Sequence, residues 1–488
     1  MHILGASAGF HDAALSLIDS KGQILFAGHS ERYSKIKNDC NLHQDIFNDI
    51  CVKEVSDIAY YESPFRKQLR QLYSGQGFDY TLLTKNQIKK RYFPQFQNVS
   101  THVYNHHLSH AAAGFQTSPY DRATVVVIDA IGEFETVSIY AAEYKQGRAT
   151  YRKLWSKYYP HSIGLFYSAM TKAAGLKPLE EEYILMGMSA YGDRHFADLL
   201  KTHFIADEWN LDFTENFHLG STSSYTSYLD KNDIAAGAQT LTENLIYNVM
   251  RRARNFEWSD NLVYMGGVAL NCLANTKLFD YFNNIWIMPN PGDAGSSLGA
   301  AALRYGKKIH WKNAYLGHNI SGEYPANAAI DELLQNKIIG IASGRAEFGP
   351  RALGNRSLLA DPRDPHIKDR VNEIKRRQKF RPFAPVILEE YAHEYFKLPT
   401  NESRYMQYVA ECRSPELFPA IVHYDNTSRV QTVPADDSGI RQLLEKWFVL
   451  TGCPMLLNTS LNIRGEPMVN DRSDADRFES LYNVKVLS

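Results

Sequence analysis

Apolar and polar positions fall into short blocks from the first residues onward. Ile3–Ala8 is an apolar run, Gly9–Asp12 a polar turn marked by glycine, and Ala13–Ile18 a second apolar run. This pattern predicts a hairpin at the start of the chain. It returns further on: Thr124–Asp129 reads as a buried strand, Ala130–Glu133 as a turn, and Thr136–Ala141 as the returning strand. Two such strand–turn–strand units, each with an aspartate near its bend, predict a duplicated α/β core.

Helical spacing takes over between and after these units. Asn105–Phe115 (NHHLSHAAAGF) reads as a helix start, and Gly164–Gly175 (GLFYSAMTKAAG) as a helix that Gly175 stops. Asp233–Phe256 reads as a long helix with Asp233 at its N-cap. A strand at Leu262–Met265 runs into Gly266–Gly267 and a helix after Asn271. Another strand, Ile285–Met288, runs through PNPGDAG into a helix at Ser296–Tyr305. Trp311–Asn327 is polar and has no clear period, which predicts a linker. The expected domains are residues 1–310, a linker at 311–330, and a second α/β module at 331–488.

Length and charge narrow the classes. The 488 residues leave room for about three folding units at ~150 residues each. Lys+Arg number 53 against 54 Asp+Glu, so no global charge drives the chain toward nucleic acid or an acidic membrane, although a local basic groove remains open. The five cysteines are widely spaced and form no C-x-x-C pair, which points away from a disulfide framework and toward a reducing cytoplasm. MHILGASAGF lacks the basic start of a secretory signal, and the most apolar run, Thr124–Ile131, is too short to cross a bilayer. No membrane association is expected.

Two sets of residues carry chemistry. His106 and His110 are spaced i,i+4 and share one face of a helix, so both can point at one ion. Imidazole suits borderline transition metals. Asp129 and Asp293 stand at strand ends in glycine-bearing turns, where α/β proteins place ligands. The H-x-x-x-H spacing alone fits surface or capping histidines equally well; the two aspartates favour a metal. The turn GGVALN, with Gly266, Gly267 and Asn271, would let a backbone approach an anion at a helix start, but a tight turn with no ligand fits it as well. The segment Ser343–Pro365 says more. Arg345, Arg351, Arg356 and Arg363 stand among glycines and prolines, the setting of bidentate phosphate recognition. Lys375–Pro385, Thr427–Thr432 and Asn458–Pro467 add further polar clusters, which together suit a polyanion such as ATP.

These motifs, in this order, resemble the bacterial O-carbamoyltransferases, the group that contains the tobramycin and Nod-factor enzymes. The resemblance covers almost the whole chain. It is carried by FHDAALSLI, SERYSKIK, NHHLSHAA, VVVIDAIGE, IGLFYSAMT, MGGVALNCLAN, PGDAGSSLGAA, AEFGPRALGNRSLLADPRDP, KFRPFAPVILEE, RVQT and LLNTSLNIRGEP. It implies an actin/hexokinase-like (ASKHA) N-terminal domain and a YrdC-like C-terminal domain. It also implies two steps: carbamoyl phosphate and ATP give carbamoyl-adenylate and pyrophosphate, and an acceptor hydroxyl then takes the carbamoyl group. By the same resemblance His106, His110, Asp129 and Asp293 match iron ligands, with Fe(II) or another divalent transition metal expected. His11 matches a histidine near the acceptor and is the candidate general base. Lys375, Arg429 and Ser460 match carbamoyl-phosphate and nucleotide contacts. Arg345, Arg351, Arg356 and Asn458 belong to the same motifs, and Mg²⁺ can assist the adenylation.

The chain departs from the family pattern at Ala130, where glycine is usual, and at Glu181 and Ile184, which bears on the acceptor. The expected acceptor is a small-molecule hydroxyl, with hydroxymethylcytosine in DNA as the alternative. Phe65–Tyr73 and Lys85–Phe96 are basic and aromatic enough for such a path, although exposed amphipathic helices are the commoner source of such stretches. A duplex target base would have to be flipped out. A sugar-kinase-like ATPase and a non-catalytic nucleotide sensor are the rival classes. The kinase gives the histidine pair no role, and the sensor needs no second polar site. Nothing in the sequence sets an oligomeric state, and a homodimer is compatible with it.

Overall fold

The structure is a computed structural model that describes residues 2–488 apart from 97, 224, 225, 227 and 228. It is a mixed α/β protein whose residues gather into two compact units, one of residues 1–27 and 40–312, the other of residues 28–39 and 313–488.

The first unit holds two sheets of the same plan. In the first, β1 (His2–Ser7), β2 (Ala14–Ile18), β3 (Ile24–His29), β4 (Val55–Tyr60) and β5 (Ser100–Val103) lie in the order β3-β2-β1-β4-β5. The β1–β2 hairpin is antiparallel, with Ile3 opposite Ile18 and Ser7 opposite Ala14, while β4 and β5 follow in parallel. The second sheet contains β6 (Arg122–Ile128), β7 (Glu135–Lys145) and β8 (Arg148–Tyr158). A small ribbon of β9 (Ile205–Asp207) and β10 (Asp212–Phe213) stands apart, and β11 (Asn261–Met265) and β12 (Asn284–Trp286) complete the sheet in the order β12-β11-β6-β7-β8. There too the first strand is central, with antiparallel partners on one side and parallel partners on the other. The repeated plan is a duplicated actin/hexokinase-like unit, and the two predicted strand–turn–strand units are its β1–β2 and β6–β7 pairs.

Two helices bring the repeats together. His106–Thr117 follows β5 in the first repeat, and Ser296–Tyr305 follows β12 in the second. They pack closely because Gly299 has no side chain: a Cβ there would stand 1.8 Å from the Ser109 carbonyl oxygen. The first helix is capped by Asn105, whose side chain accepts from the Leu108 N–H. The long helix is Lys231–Arg254, and its N-cap is Asp230 rather than Asp233. Asp233 instead sits in the first turn and accepts the backbone N–H of Asp193. Both carboxylates lie near the positive end of the helix, where sequence spacing does not separate them.

The second unit is built on a six-stranded sheet. Its elements are β13 (Tyr315–Ile320), β14 (Ile338–Ala342), β15 (Gly344–Glu347), β16 (Arg356–Ala360), β17 (Ala384–Leu388), β18 (Val409–Glu411), β19 (Thr427–Arg429), β20 (Gln431–Val433), β21 (Met455–Ser460) and β22 (Val486–Leu487). The main sheet runs β20-β17-β21-β16-β14-β22, with β13–β15 and β18–β19 as two-stranded ribbons. Helices Ala326–Asn336 and Gly439–Thr451 close over a core that includes Trp447, Leu443 and Ile341. The segment expected as a structureless linker carries β13, which pairs with β15 through Tyr315 opposite Glu347. Its partner lies beyond the next helix, so local periodicity could not reveal it. Residues 28–39 also join this unit: Arg32 is buried and donates from Nη2 to the Gly349 carbonyl at 3.0 Å.

Candidate functional site

Four of the residues singled out from sequence converge in the first unit. His106 and His110 project from one helix face, Asp129 follows β6, and Asp293 opens the turn before the Ser296–Tyr305 helix. All four are buried, and one ligand atom from each lies within 4.8 Å of every other. His106 Nε2 is 3.1 Å from Asp129 Oδ2 and 3.3 Å from Asp293 Oδ1. His110 Nε2 is 3.2 Å from Asp293 Oδ1, and the two Nε2 atoms are 3.1 Å apart. Ligand bonds of about 2.0–2.2 Å give ligand–ligand edges of roughly 3.0–3.5 Å, so the donor atoms stand at the spacing a single ion needs.

The outer faces of the imidazoles support the same fit. The Pro291 carbonyl lies 3.0 Å from His110 Nδ1 and accepts the hydrogen placed there, leaving the Nε2 lone pair turned inward. Two lone pairs and two carboxylates facing one point call for a cation. The cluster could therefore hold a metal ion of the borderline class.

His11 lies in the turn between β1 and β2. Its Nδ1 is 2.9 Å from Asp12 Oδ2, and its Nε2 is 3.9 Å from Asp293 Oδ2. Burial alone would lower its pKa. The hydrogen bond to Asp12, with the charges of Asp12, Asp293 and Asp129, outweighs this and raises it to about 9. Beside this turn opens a cleft of about 130 Å³, lined by Gly9, Tyr60, Glu62, Lys67, Gln68 and Tyr92 among others. Lys67 donates to the Gly9 carbonyl at 3.1 Å and pairs with buried Glu62.

Glu62 did not stand out in the sequence. It nevertheless stands two residues after β4, close to the strand-end position that marked Asp129. The basic stretch Phe65–Tyr73 also reads differently in three dimensions. It forms the helix Pro64–Tyr73, and two of its three cations, Lys67 and Arg70, are buried and point inward.

The second unit holds a separate polar cluster. Lys375 is buried and its Nζ donates to both the backbone and side-chain oxygens of Ser460 and Asn462, at 2.9 Å for the two Asn462 atoms. Burial pushes the ammonium well below its ordinary range, and Arg377 and Arg381 add to this. Asn458, on the same strand as Ser460, donates to Gln431 Oε1 at 2.7 Å, and Gln431 lies two residues from Arg429. Asn458 Oδ1 and Arg429 Nε are buried and have no hydrogen-bond partner among the described residues. An unmatched acceptor two residues along the strand from Ser460, and an unmatched guanidinium N–H on Arg429, suit a ligand with both oxyanion and amide character.

Other residues proposed from sequence are occupied elsewhere. Arg356, expected at the nucleotide, is fully buried. Its guanidinium donates to the carbonyls of Ser343, Asn355, His318, Gly344 and Asn470, which leaves no N–H for a ligand. Replacing it by methionine should strand these carbonyls and lower the unfolding free energy by about 3–5 kcal/mol, measured by denaturant titration. Arg345 donates to the carbonyls of Leu316 and Gly317. Arg351 is half-buried in the loop after β15. Glu347 shapes that loop by accepting the N–H groups of Leu353, Asn355 and Arg356.

The GGVALN turn is also spent internally. Gly267 N–H donates to Asp129 Oδ1 at 3.2 Å, Asn271 caps a five-residue helix, and its amide pairs with Gln239. Gly266 has φ +92°, and a Cβ there would lie 2.1 Å from the Ile128 carbonyl oxygen. Gly266→Ala should therefore cost about 2–4 kcal/mol and disturb Asp129 beside it, with a falling melting temperature as the readout. Of the departures, the Ala130 carbonyl accepts from Ser162 Oγ, Glu181 accepts the Lys177 N–H, and Ile184 is core.

Fold and site together define an α/β enzyme with a duplicated actin/hexokinase-like unit and a second α/β unit rich in buried polar residues. The chain belongs to the carbamoyltransferase family: the model for the carbamoyltransferase N-terminus matches residues 53–302, and that for the carbamoyltransferase C-terminus matches residues 330–488. It is a carbamoyltransferase. An uncharacterized protein of Synechocystis is 34% identical over 98% of this chain and 94% of its own length. The nodulation protein NolNO of Sinorhizobium fredii is 29% identical over 95% of this chain and 76% of its own. Among solved structures, the activator of 2-hydroxyisocaproyl-CoA dehydratase from Clostridium difficile covers 62% of this chain and 94% of its own at TM-score 0.36 and 11% identity. No helix among the described residues is long and apolar enough to cross a membrane.

Proposed function

We propose that the protein is an ATP-dependent O-carbamoyltransferase that works in two steps. In the second unit, a YrdC-like module in this reading, water cleaves carbamoyl phosphate to carbamate and phosphate, and a carbamate oxygen then attacks the α-phosphorus of ATP to give carbamoyl-adenylate as pyrophosphate leaves. Arg429 and Lys375 supply positive charge to the anions, the arriving anion favouring the ammonium form of Lys375, and Ser460 and Asn458 add hydrogen bonds as two polyanions meet. In the first unit a hydroxyl of the acceptor attacks the carbamoyl carbon, and the AMP group leaves. His11 takes the hydroxyl proton at Nε2 in its neutral form, which a cation held in the adjoining cluster favours by offsetting the charges of Asp293 and Asp129, while Asp12 at Nδ1 orients the ring. His106, His110, Asp129 and Asp293 would hold Fe(II) or a related divalent ion. When bound, it supplies Lewis-acid stabilisation of the developing oxyanion. The observation that carries this reading is the buried His₂Asp₂ cluster with His11 at its edge, 3.9 Å from Asp293.

The acceptor in this reading is a small molecule seated in the cleft beside His11. The cleft is modest in size and is lined by the Glu62–Lys67 pair, by Gln68 and by the stacked Tyr60 and Tyr92 rings, whose centroids are 6.3 Å apart. Such a mixture of charge, amide and ring faces suits a polyhydroxylated or aminated molecule. The buried Lys67 and Arg70 argue against a phosphate path for DNA along that helix.

The test is mass spectrometry of reactions with ATP, carbamoyl phosphate and either tobramycin or hydroxymethylcytosine-containing DNA. Gain of one carbamoyl group on tobramycin together with AMP is the expected result. Gain on DNA alone would move the acceptor to the alternative class, and ADP in place of AMP would replace the mechanism with a kinase-like one.

A further inference from the structure

His106 differs from His110 in what lies behind it. The His110 Nδ1 faces a backbone carbonyl, whereas the His106 Nδ1 faces a carboxylate: Glu62 Oε2 stands 3.6 Å away. That is longer than a formed hydrogen bond, and the His106 Nδ1 atom is buried with no other hydrogen-bond partner. When Nε2 of His106 lends its lone pair to a cation, the ring hydrogen must reside on Nδ1. Glu62 is the acceptor positioned to take it. Glu62 is itself 3% exposed and is held on its other oxygen by Lys67, a residue that is also buried.

Lys67 in turn donates to the carbonyl of Gly9, two residues before His11. A continuous chain therefore runs from the His11 turn through Lys67 and Glu62 to His106. Glu62 and Lys67 also line the cleft.

We propose that Glu62 is a positioning residue for the metal centre: it accepts the Nδ1 hydrogen of His106, fixes the tautomer whose Nε2 faces the ion, and is itself fixed by Lys67. This rests on the metal-centre reading above. A carboxylate behind a ligating imidazole raises the basicity of the ring and restricts its rotation, and such partners commonly change metal affinity by about 10–100-fold. The pair has a second consequence. Because Lys67 is shared between Glu62 and the turn that carries His11, the ligand and the proposed base are held in one frame.

The experiment is a Co²⁺ titration of the metal-stripped full-length protein, following the visible absorption of the bound ion, with wild type, Glu62→Gln and Lys67→Met. Glu62→Gln keeps shape and volume but removes the charge. It should weaken Co²⁺ binding by about tenfold or more and shift the absorption band. Lys67→Met should weaken binding severalfold by freeing Glu62. A purely structural role for Glu62 would lower the melting temperature of the stripped protein and leave the spectrum of the Co²⁺ form unchanged. Wild-type affinity and an unchanged band in Glu62→Gln would overturn the inference alone. Failure of the wild type to take up Co²⁺ would overturn the metal centre and this inference with it.

Discussion

His106→Ala should abolish carbamoyl transfer while ATP-dependent AMP release continues. The residue supplies one of the four donor atoms that lie within 4.8 Å of one another, and its Nε2 is 3.1 Å from Asp129 and from His110. Without it, Asp129 and Asp293 remain as buried carboxylates with one imidazole between them, a poorer and less rigid ligand set. Metal content after purification should fall by at least about tenfold and the transfer rate by a hundredfold or more, the scale expected when a group stabilising a developing oxyanion is lost. Adenylation should survive because Lys375, Ser460 and Arg429 belong to the other compact unit. The measurements are elemental analysis, acceptor mass and AMP yield on the same preparation. Full transfer by a variant shown to be free of metal would remove the ion from the mechanism. Stripping the wild type with a chelator should reproduce the variant, and added Fe(II) should reverse it only in the wild type.

The second large effect is expected from Lys375→Ala. Its ammonium sits among four oxygens of Ser460 and Asn462, and Ser460 lies on the strand that also carries Asn458 with its unmatched Oδ1. Truncation removes the cation that neutralises the meeting phosphates and leaves those oxygens facing one another. AMP and pyrophosphate release should fall by about a thousandfold, equivalent to about 4 kcal/mol of barrier. Lys375→Arg should restore little, because a planar guanidinium cannot occupy the compact position of a point charge. Transfer would fall in step with AMP, whereas metal content should stay at the wild-type level. AMP release at the wild-type rate would remove Lys375 from the adenylation step. The two variants thus separate the units: one loses metal and transfer, the other loses adenylate.

Much of this architecture was legible along the chain. The hairpins at Ile3–Ile18 and Thr124–Ala141 announce themselves because strands buried on both faces are written as continuous apolar runs broken by glycine or aspartate. The Ser296–Tyr305 helix is bounded in the structure where its pattern begins and ends. The histidine pair was visible because i and i+4 on a helix share a face whatever the surroundings. In each case the signal is local, set by a few consecutive residues.

What the chain order hides depends on distant partners. β13 looks like linker because its ladder partner is β15, with Ile320 opposite Gly344 and Tyr315 opposite Glu347, across an intervening helix and strand. Arg356 sits in a motif that suggests phosphate, yet burial turns its guanidinium onto five backbone carbonyls. Lys67 and Arg70 resemble a solvated basic face until their helix is seated and they point inward. Glu62 looks ordinary until β4 and the His106 helix are side by side. The sequence by itself determined the duplicated strand plan, the family and the identities of the candidate ligands, since periodicity and motif order need no coordinates. Only the tertiary structure decided which charges are buried, which are matched and which face a common point, because desolvation and hydrogen bonding depend on neighbours that meet through space.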